Sequence, residues 1–352
     1  MLTIDHLTHV YDTEPVVRDL SFEVDTGELV CLLGPSGCGK TTVIQAIAGH
    51  LKPTSGSIQI QGTDVTSTPP ETRDIGLMFQ ASTLFPHLTV GDNVEYGLKA
   101  RGIEPNERKT LRQQYLDLVD LREYSDAYPE MLSGGQQRRV ELARALAPEP
   151  DILLLDEPLS SLDRALREQL QDDIRRIQQD TGVTTVFVTH DQEEAMEIAD
   201  RLVVMNEGGI AATGTPRSLY ATPPNRFIAS FLGPGSVIDA PVLATNPLEI
   251  NIGGTAISIE ENPYSSVPED AVSCVIRPNR LTVESFENRG ELTVPGEVLD
   301  VRDMGTHYIL EVLLASGEQV QAHVQSPPPD SGTRVGLGGI EEALTLIPQD
   351  GK

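Results

Sequence analysis

The sequence is poor in residues that several classes of protein require. It contains no tryptophan and only three cysteines, whose spacing fits neither a zinc site nor a disulfide framework: Cys31, Cys38 and Cys274. No run approaches the roughly 20 apolar residues that a membrane-spanning helix needs. The first residues, Met1 to His6, lack the basic flank and apolar core of a signal peptide. We therefore expect a soluble protein of a reducing, cytoplasmic compartment.

Positive charge is also scarce. The chain has 26 basic residues against 53 acidic ones, a formal net charge of -27, and only five of the basic residues are lysines. Such a surface repels nucleic acid and anionic headgroups, so no nucleic-acid partner is expected. An acid excess with few lysines resembles halophilic proteins, in which salt screens the repulsion. An ordinary acidic cytoplasmic protein is the alternative.

The most informative segment follows a short apolar run. Leu29 to Leu33 predicts a buried strand and Val43 to Ala48 a helix, and a glycine-rich loop lies between them: Gly34, Pro35, Ser36, Gly37, Cys38, Gly39, Lys40, Thr41 and Thr42. Glycines permit positive φ, so backbone N–H groups can turn inward around phosphates, and the helix start favours anions. Lys40 would neutralise the outer phosphates and the Thr41 hydroxyl would hold Mg²⁺. This context predicts a nucleoside triphosphate site rather than a chance glycine-rich turn.

Two carboxylates follow another apolar run. Ile152 to Leu155 predicts a buried strand that delivers Asp156 and Glu157 at its carboxyl end. This is where α/β nucleotide-binding folds carry metal and water chemistry. Asp156 suits Mg²⁺, and Glu157 suits a base that polarises an attacking water. Either acid alone could be an ordinary carboxylate at the end of a strand.

A third segment predicts a second helix start that can bind an anion. Leu132, Ser133, Gly134, Gly135 and Gln136 precede a helical stretch from 137 to 147. Ser133 is a good N-cap, and the two glycines leave backbone N–H groups accessible. By itself this segment indicates only a capped helix.

Taken in their order along the chain, the three segments resemble the motifs of the ATP-binding cassette (ABC) family over about the first 230 residues. Four further positions match its motifs. Tyr11 matches the aromatic that stacks on adenine, and Gln80 matches the glutamine that senses Mg²⁺ and the attacking water. Asp163, in the sequence Ser160 to Asp163, matches the loop that communicates across the dimer. His190 matches the switch histidine that contacts the γ-phosphate.

The resemblance implies ATP and Mg²⁺ as cofactors and a homodimer as the working unit. The segment that begins at Ser133 in one subunit would face the phosphate loop of the other, so two chains would enclose two nucleotides. The implied catalytic residues are Glu157, His190 and Gln80, and the implied Mg²⁺ ligands are Thr41, Gln80 and Asp156. Simpler roles stay open for some positions. Gln80 and His190 could be polar strand ends, and Asp163 could cap a helix.

The texture of the chain predicts two domains. An α/β P-loop NTPase domain occupies 1–234, with a mainly helical subdomain at about 86–149. A stripe of apolar residues predicts a helix from Ala165 to Gln179 that packs on the sheet. Beyond Pro223 the pattern changes to short β-like runs, which predict a small all-β barrel of OB-like (TOBE) type over 235–352: Leu248–Ile252, Ala256–Ile259, Val272–Ile276 and Tyr308–Val312.

A cassette followed by such a barrel resembles the ATPase subunits of binding-protein-dependent importers. The segment Cys274 to Pro278 looks like the core strand of their C-terminal module. The implied partners are transmembrane permease subunits and, indirectly, an extracellular solute-binding protein, which places the chain on the cytoplasmic face of the membrane. The segment Ala81 to His87 would offer a groove in which a helix of the permease docks, or would pack between the core and the helical part of the domain. Ferric iron is the favoured substrate, with polyamines, sulfate or molybdate, and sugars as alternatives. A soluble, non-transport ABC ATPase is the other functional class.

Overall fold

The computed structural model describes residues 1–160, 162–260, 264, 267–288 and 293–348. Ser161, in the predicted dimer loop, lies outside the described residues. The chain divides into two compact units, Met1–Pro216 and Arg217–Lys352. The sequence-based boundary at residue 234 lies 18 residues beyond this division and stays a prediction. None of the described helices is both long and apolar enough to span a lipid bilayer.

The first unit contains a mostly parallel six-stranded sheet with the order β10-β9-β3-β8-β7-β6. β3, β6, β7, β8 and β9 run parallel, and only β10 is antiparallel to its neighbour. All five residues of β3 are buried, as expected for a parallel strand covered on both faces. The strands are β3 (Leu29–Leu33), β6 (Ile75–Met78), β7 (Ile152–Asp156), β8 (Thr184–Thr189), β9 (Arg201–Asn206) and β10 (Gly209–Gly214).

An antiparallel sheet with the order β2-β1-β4-β5 completes the strands of this unit. Side chains of three of its strands share one apolar core with the parallel sheet and with the helix that follows β3, so this helix packs between the two sheets. The bounds are β1 (Leu2–Tyr11), β2 (Glu14–Val24), β4 (Ser55–Ile60) and β5 (Thr63–Asp64) for the strands, and α1 (Lys40–Ala48) for the helix.

The predicted helical region between β6 and β7 is confirmed. It contains α2 (Val90–Ala100), α3 (Pro105–Leu118) and α4 (Gly134–Leu146), with short 3₁₀ turns between α3 and α4. Two helices follow among the strands, α5 (Arg164–Thr181) and α6 (Gln192–Ile198). Helix α5 confirms the predicted amphipathic helix, because Leu170, Ile174 and Ile177 are buried on one face. Its ends carry ordinary signals, with Asp163 as N-cap and a left-handed Gly182 after the last turn.

The second unit confirms the predicted all-β texture. Its described residues form two five-stranded antiparallel sheets that share one apolar core, as expected for a small OB-like barrel. The short helices are α7 (Pro216–Ala221), α8 (Arg226–Phe231) and α9 (Ile340–Ala343). The strands are β11 (Ser236–Thr245), β12 (Leu248–Ile252), β13 (Thr255–Ile259), β14 (Ala271–Ile276), β15 (Thr282–Ser285), β16 (Val294–Asp303), β17 (Tyr308–Leu314), β18 (Gln319–Val324), β19 (Arg334–Gly338) and β20 (Leu344–Leu346).

A buried arginine holds the start of this second unit together. Arg277 is 3% exposed, and its guanidinium lies 4.0 Å from the centre of the Tyr220 ring. It donates hydrogen bonds of 3.0–3.3 Å to four backbone carbonyls, those of Tyr220, Ala229, Leu232 and Pro234. Burial lowers the pKa of Arg277. One side chain therefore supplies donors to four backbone carbonyls of the segment from Tyr220 to Pro234.

Replacing Arg277 with methionine is expected to lower the free energy of unfolding by about 3 kcal/mol, because several buried carbonyls lose their donor at once. Urea denaturation followed by circular dichroism measures the change. The matched control is Arg302→Met, which removes a half-exposed arginine paired with Glu311 and is expected to cost about 0–1 kcal/mol. Equal stability of the two variants would contradict the role given to Arg277.

Candidate active site

The glycine-rich loop connects β3 to α1, and at two of its positions the surrounding backbone leaves room only for glycine. Gly39 has φ +104°, and a Cβ there would lie 2.8 Å from the carbonyl oxygen of Val16. A Cβ on Gly34 would lie 2.4 Å from the carbonyl oxygen of Met205. These approaches leave the loop close against neighbouring backbone, with its N–H groups available at the start of a nine-residue helix. The loop can therefore receive an anion.

Lys40 places a buried cation inside this loop. The residue is 6% exposed, and its Nζ donates hydrogen bonds to the carbonyl oxygens of Gly34 at 2.6 Å and Pro35 at 2.9 Å. The next residue, Thr41, is exposed, whereas Thr42 is buried. The ammonium group and an accessible hydroxyl thus occupy adjacent positions on the first turn of α1.

Three of the predicted catalytic residues meet at one carboxylate. Nε2 of Gln80 donates to Oε2 of Glu157 at 2.9 Å, and Nδ1 of His190 lies 3.1 Å from Oε1 of Glu157. Glu157 turns sharply out of β7 with φ +44°, while its N–H donates to the carbonyl oxygen of Val188 at 2.9 Å. A non-glycine residue with such a φ is held by its surroundings, which fits a side chain whose position matters for function.

The loop after β8 fixes the backbone on both sides of His190. The Thr189 hydroxyl donates to the carboxylate of Glu194 at 2.6 Å and accepts from the N–H of Asp191 at 3.0 Å. Asp191 caps α6 by accepting from the N–H groups of Glu193 and Glu194. Burial raises the pKa of Glu194. His190 is therefore presented from a rigid turn, with its own side chain half-exposed toward Glu157.

Asp156 occupies the end of β7 beside Glu157. Burial raises the pKa of its carboxyl group, the charge of Glu157 raises it further, and Lys40 opposes the rise. The predicted Mg²⁺ ligands are this carboxylate, the Thr41 hydroxyl and the Gln80 amide oxygen, and all three are hard oxygen donors of the kind that Mg²⁺ prefers. Among the described residues, no group of three or more His, Cys, Asp or Glu side chains could hold a metal ion.

The remaining predicted residues lie elsewhere on the first unit. Ser133 caps α4 in a reciprocal arrangement with Gln136, and Ser133 and Gly134 are exposed. Asp163 caps α5, and Tyr11 is 45% exposed at the end of β1. Among described residues, no hydrogen bond joins Ser133 or Gln136 to the Gln80–Glu157–His190 group.

The sequence interpretation missed two buried arginines, Arg73 and Arg138, which bind backbone carbonyls of elements that form the site. Arg73 is 3% exposed and donates to the carbonyl oxygens of Ala46 and Ile47 at 2.7 Å, which satisfies the carboxyl end of α1. Arg138 and Glu141 are buried on α4 and contact the segment around Gln80. Oppositely charged residues three apart on a helix, on its apolar face next to Leu142, were the available signal.

Two family models match the chain. One, described as ABC transporter, matches residues 17–160, and the other, described as TOBE domain, matches residues 274–347. The first match spans the glycine-rich loop, Gln80, Ser133 and Glu157. The second spans the strands β14 to β20 and includes Arg277.

Curated relatives are similar to the chain along most of its length. The Fe(3+) ions import ATP-binding protein FbpC of Rhizobium etli is 40% identical over 349 residues, which cover 98% of this chain and 97% of the relative. The protein of the same name from Brucella abortus (strain 2308) is 41% identical over 319 residues, 90% of this chain and 89% of the relative. FbpC 1 of Rhizobium meliloti is 43% identical over 301 residues, 86% and 84% of the two chains.

A solved structure is similar to part of the chain. It is the dimeric structure of a post-hydrolysis state of an ATP-binding cassette bound to ADP and Pi. It superimposes with a TM-score of 0.55 at 30% sequence identity and covers 62% of this chain and 99% of its own.

Proposed function

The chain belongs to the ABC transporter family, and from this we propose that it is the ATP-hydrolysing subunit of an importer that takes up ferric iron. The family resemblance inferred from the motifs is confirmed, and so is an ATPase that uses ATP and Mg²⁺. The observation that carries the catalytic proposal is the Glu157 carboxylate held between Gln80 and His190. The iron proposal is supported by the names of the relatives, which are import proteins for Fe(3+) ions.

We propose the following roles for the site residues in hydrolysis. The loop from Gly34 to Thr42 cradles the phosphates with its N–H groups, and Lys40 neutralises their outer charge. Tyr11 stacks on the base. Glu157 accepts a hydrogen bond from the attacking water and polarises it. Gln80 and His190 hold the Glu157 carboxylate in place and orient the water for attack on the γ-phosphate. Thr41, Gln80 and Asp156 would hold Mg²⁺, which would supply positive charge next to the phosphate oxygens.

A second copy of the chain completes the site in this proposal. The exposed start of α4, with Ser133, Gly134, Gly135 and Gln136, would cover the γ-phosphate bound to the partner copy, and Asp163 would line the seam. The dimeric state of the similar cassette structure supports this arrangement. Hydrolysis removes the negatively charged γ-phosphate that both copies contact at the dimer interface, so it would let the dimer open.

The permease would dock at the segment Ala81 to His87. Phe85 lies 4.5 Å from the ring of Tyr96, which is 49% exposed, and Arg144 lies 5.6 Å from the ring of Phe85. Phe85 is thus partly packed against α2 and α4 and partly accessible, so it can form the floor of a groove for a partner helix. This docking would hold the chain at the cytoplasmic face of the membrane, with a solute-binding protein acting on the other side. The second unit either braces the dimer, which we favour, or binds a regulator.

Uptake measurements test the transport proposal. Cells that lack the chain are expected to lose accumulation of radioactive Fe³⁺ and to regain it with the wild-type chain, while uptake of sulfate, spermidine and maltose is unchanged. The chain purified from membranes with an affinity tag is expected to bring permease subunits with it. Loss of uptake of another solute, with Fe³⁺ uptake unchanged, would contradict the iron assignment. Unchanged uptake of all solutes, without an associated permease, would favour a soluble ABC ATPase.

A further inference from the structure

The segment that carries Gln80 has no regular secondary structure. It follows β6 and continues to the start of α2. Its backbone and side chains are nevertheless held by hydrogen bonds, and most of the residues that hold it come from one helix, α4. This segment places the Gln80 amide 2.9 Å from Glu157, so whatever holds it also sets the geometry of the proposed catalytic group.

Arg138 provides the first of these contacts. Its side chain is 4% exposed, and its guanidinium donates to the carbonyl oxygen of Phe79 at 2.9 Å and to that of Gln80. The same guanidinium lies 3.0 Å from the carboxylate of Glu141, whose side chain is 1% exposed. A charge pair buried this deeply is costly unless every partner is in place, which makes the backbone carbonyls part of the pair's solvation.

Glu141 and Arg144 extend the contacts to the residues that follow. One oxygen of Glu141 accepts from the Ser82 hydroxyl at 2.7 Å and from the N–H of Thr83 at 2.6 Å. Arg144 donates to the carbonyl oxygen of Thr83 at 2.7 Å. The three charged side chains lie three residues apart on α4 and together cover the backbone from Phe79 to Thr83. That helix begins at Gly134, immediately after Ser133.

We propose that Arg138 and Glu141 are positioning residues for ATP hydrolysis. They connect Gln80 to the helix that follows Ser133. In the proposed dimer this helix contacts the nucleotide of the partner copy, while Gln80 contacts the nucleotide of its own copy. One rigid connection therefore sets both positions. The inference rests on the proposed hydrolytic function of Glu157 and adds residues that touch neither nucleotide nor water. Their effect on hydrolysis passes through the backbone from Phe79 to Thr83, which carries Gln80.

A double-mutant cycle tests this connection. Arg138→Met is expected to lower kcat about 10-fold or more and to leave KM for ATP within about 2-fold, because a displaced Gln80 misaligns the reacting groups without removing a phosphate contact. Gln80→Ala is expected to lower kcat as well. If Arg138 acts through Gln80, the double variant will be no slower than Gln80→Ala, whereas independent effects would multiply.

Two further variants keep the test decisive. Glu141→Gln preserves the shape of the side chain but places a neutral amide next to Arg138, and it is expected to show the same fall in kcat. This variant therefore provides the test if Arg138→Met does not fold. The matched control is Arg112→Met, which breaks a partly buried arginine–glutamate pair between α3 and α2, with 3.0 Å between Arg112 and Glu95. Among the residues that the structure describes, no hydrogen bond or ion pair of Arg112 reaches the segment around Gln80. It is expected to lower the melting temperature but to keep kcat per folded molecule.

The outcomes separate this inference from the function beneath it. Multiplicative effects of Arg138→Met and Gln80→Ala, or an unchanged kcat in both Arg138→Met and Glu141→Gln, would overturn the positioning role while the wild-type ATPase stands. A wild-type chain without ATPase activity would overturn both proposals.

Discussion

Glu157→Gln is expected to lower kcat for ATP hydrolysis by about 10²-fold or more, because a glutamine amide can occupy the same space but cannot act as a base toward the attacking water. ATP binding is expected to persist, since the glycine-rich loop and Lys40 are unchanged. The ATP-bound dimer would then accumulate. Release of phosphate measures the first effect, and size-exclusion chromatography with and without ATP and Mg²⁺ measures the second.

The control for this variant is Glu107→Gln, which alters an exposed carboxylate on α3 and is expected to leave hydrolysis unchanged. Hydrolysis at the wild-type rate by Glu157→Gln would show that the base lies elsewhere. A dimer that forms without nucleotide would indicate that the second unit joins the chains. A variant that binds ATP, does not hydrolyse it and stays monomeric would point to closure that requires the permease.

Lys40→Ala is expected to act one step earlier, by weakening ATP binding about 10- to 100-fold. Its Nζ is the buried cation of the loop, bonded at 2.6 Å and 2.9 Å to the loop's own carbonyl oxygens. Removing it leaves the phosphates without their charge-assisted donor. Titration with a fluorescent ATP analogue measures the dissociation constant, and no ATP-dependent dimer is expected at nucleotide concentrations that saturate the wild type.

Lys109→Ala provides the matched control, because Lys109 is exposed on α3 and none of the proposed nucleotide contacts involves it. Its dissociation constant for ATP is expected to stay within about 2-fold of the wild-type value. If Lys40→Ala bound ATP as tightly as the wild type, the glycine-rich loop would not be the phosphate-binding site. The two variants together thus distinguish a failure to bind from a failure to hydrolyse.

The surface of the protein is strongly acidic. The net charge of -27 and the five lysines led to the interpretation of a halophilic protein. Several carboxylates take part in specific pairs, such as Glu28 with Arg201. Burial acts to raise the pKa of Glu28, but the hydrogen bonds from Arg201 and from the N–H of Asp25 outweigh it and hold this pKa below its usual range. Such pairs use one acidic and one basic residue each, so the excess of 53 acidic over 26 basic residues lies outside them. The halophilic interpretation stays a prediction.

Local sequence alone determined much of this protein. The run Leu29 to Leu33 is a strand with those bounds, and the capping signal at Ser133 starts a helix as predicted. Motif order was sufficient for the family and the fold class. The reason is physical: backbone preference, apolar periodicity and caps act between residues close in sequence, so they can be read without knowing the fold.

Only the tertiary structure brought the distant groups together. Gln80 and His190 lie 77 and 33 residues from Glu157, and their contacts depend on the neighbouring positions of β6, β7 and β8 in the sheet. The buried arginines were equally out of reach, because Arg138 and Arg277 look like surface residues until the carbonyls around them are known. Burying a charge requires several partners at once, and those partners are assembled by long-range packing, which local sequence does not specify.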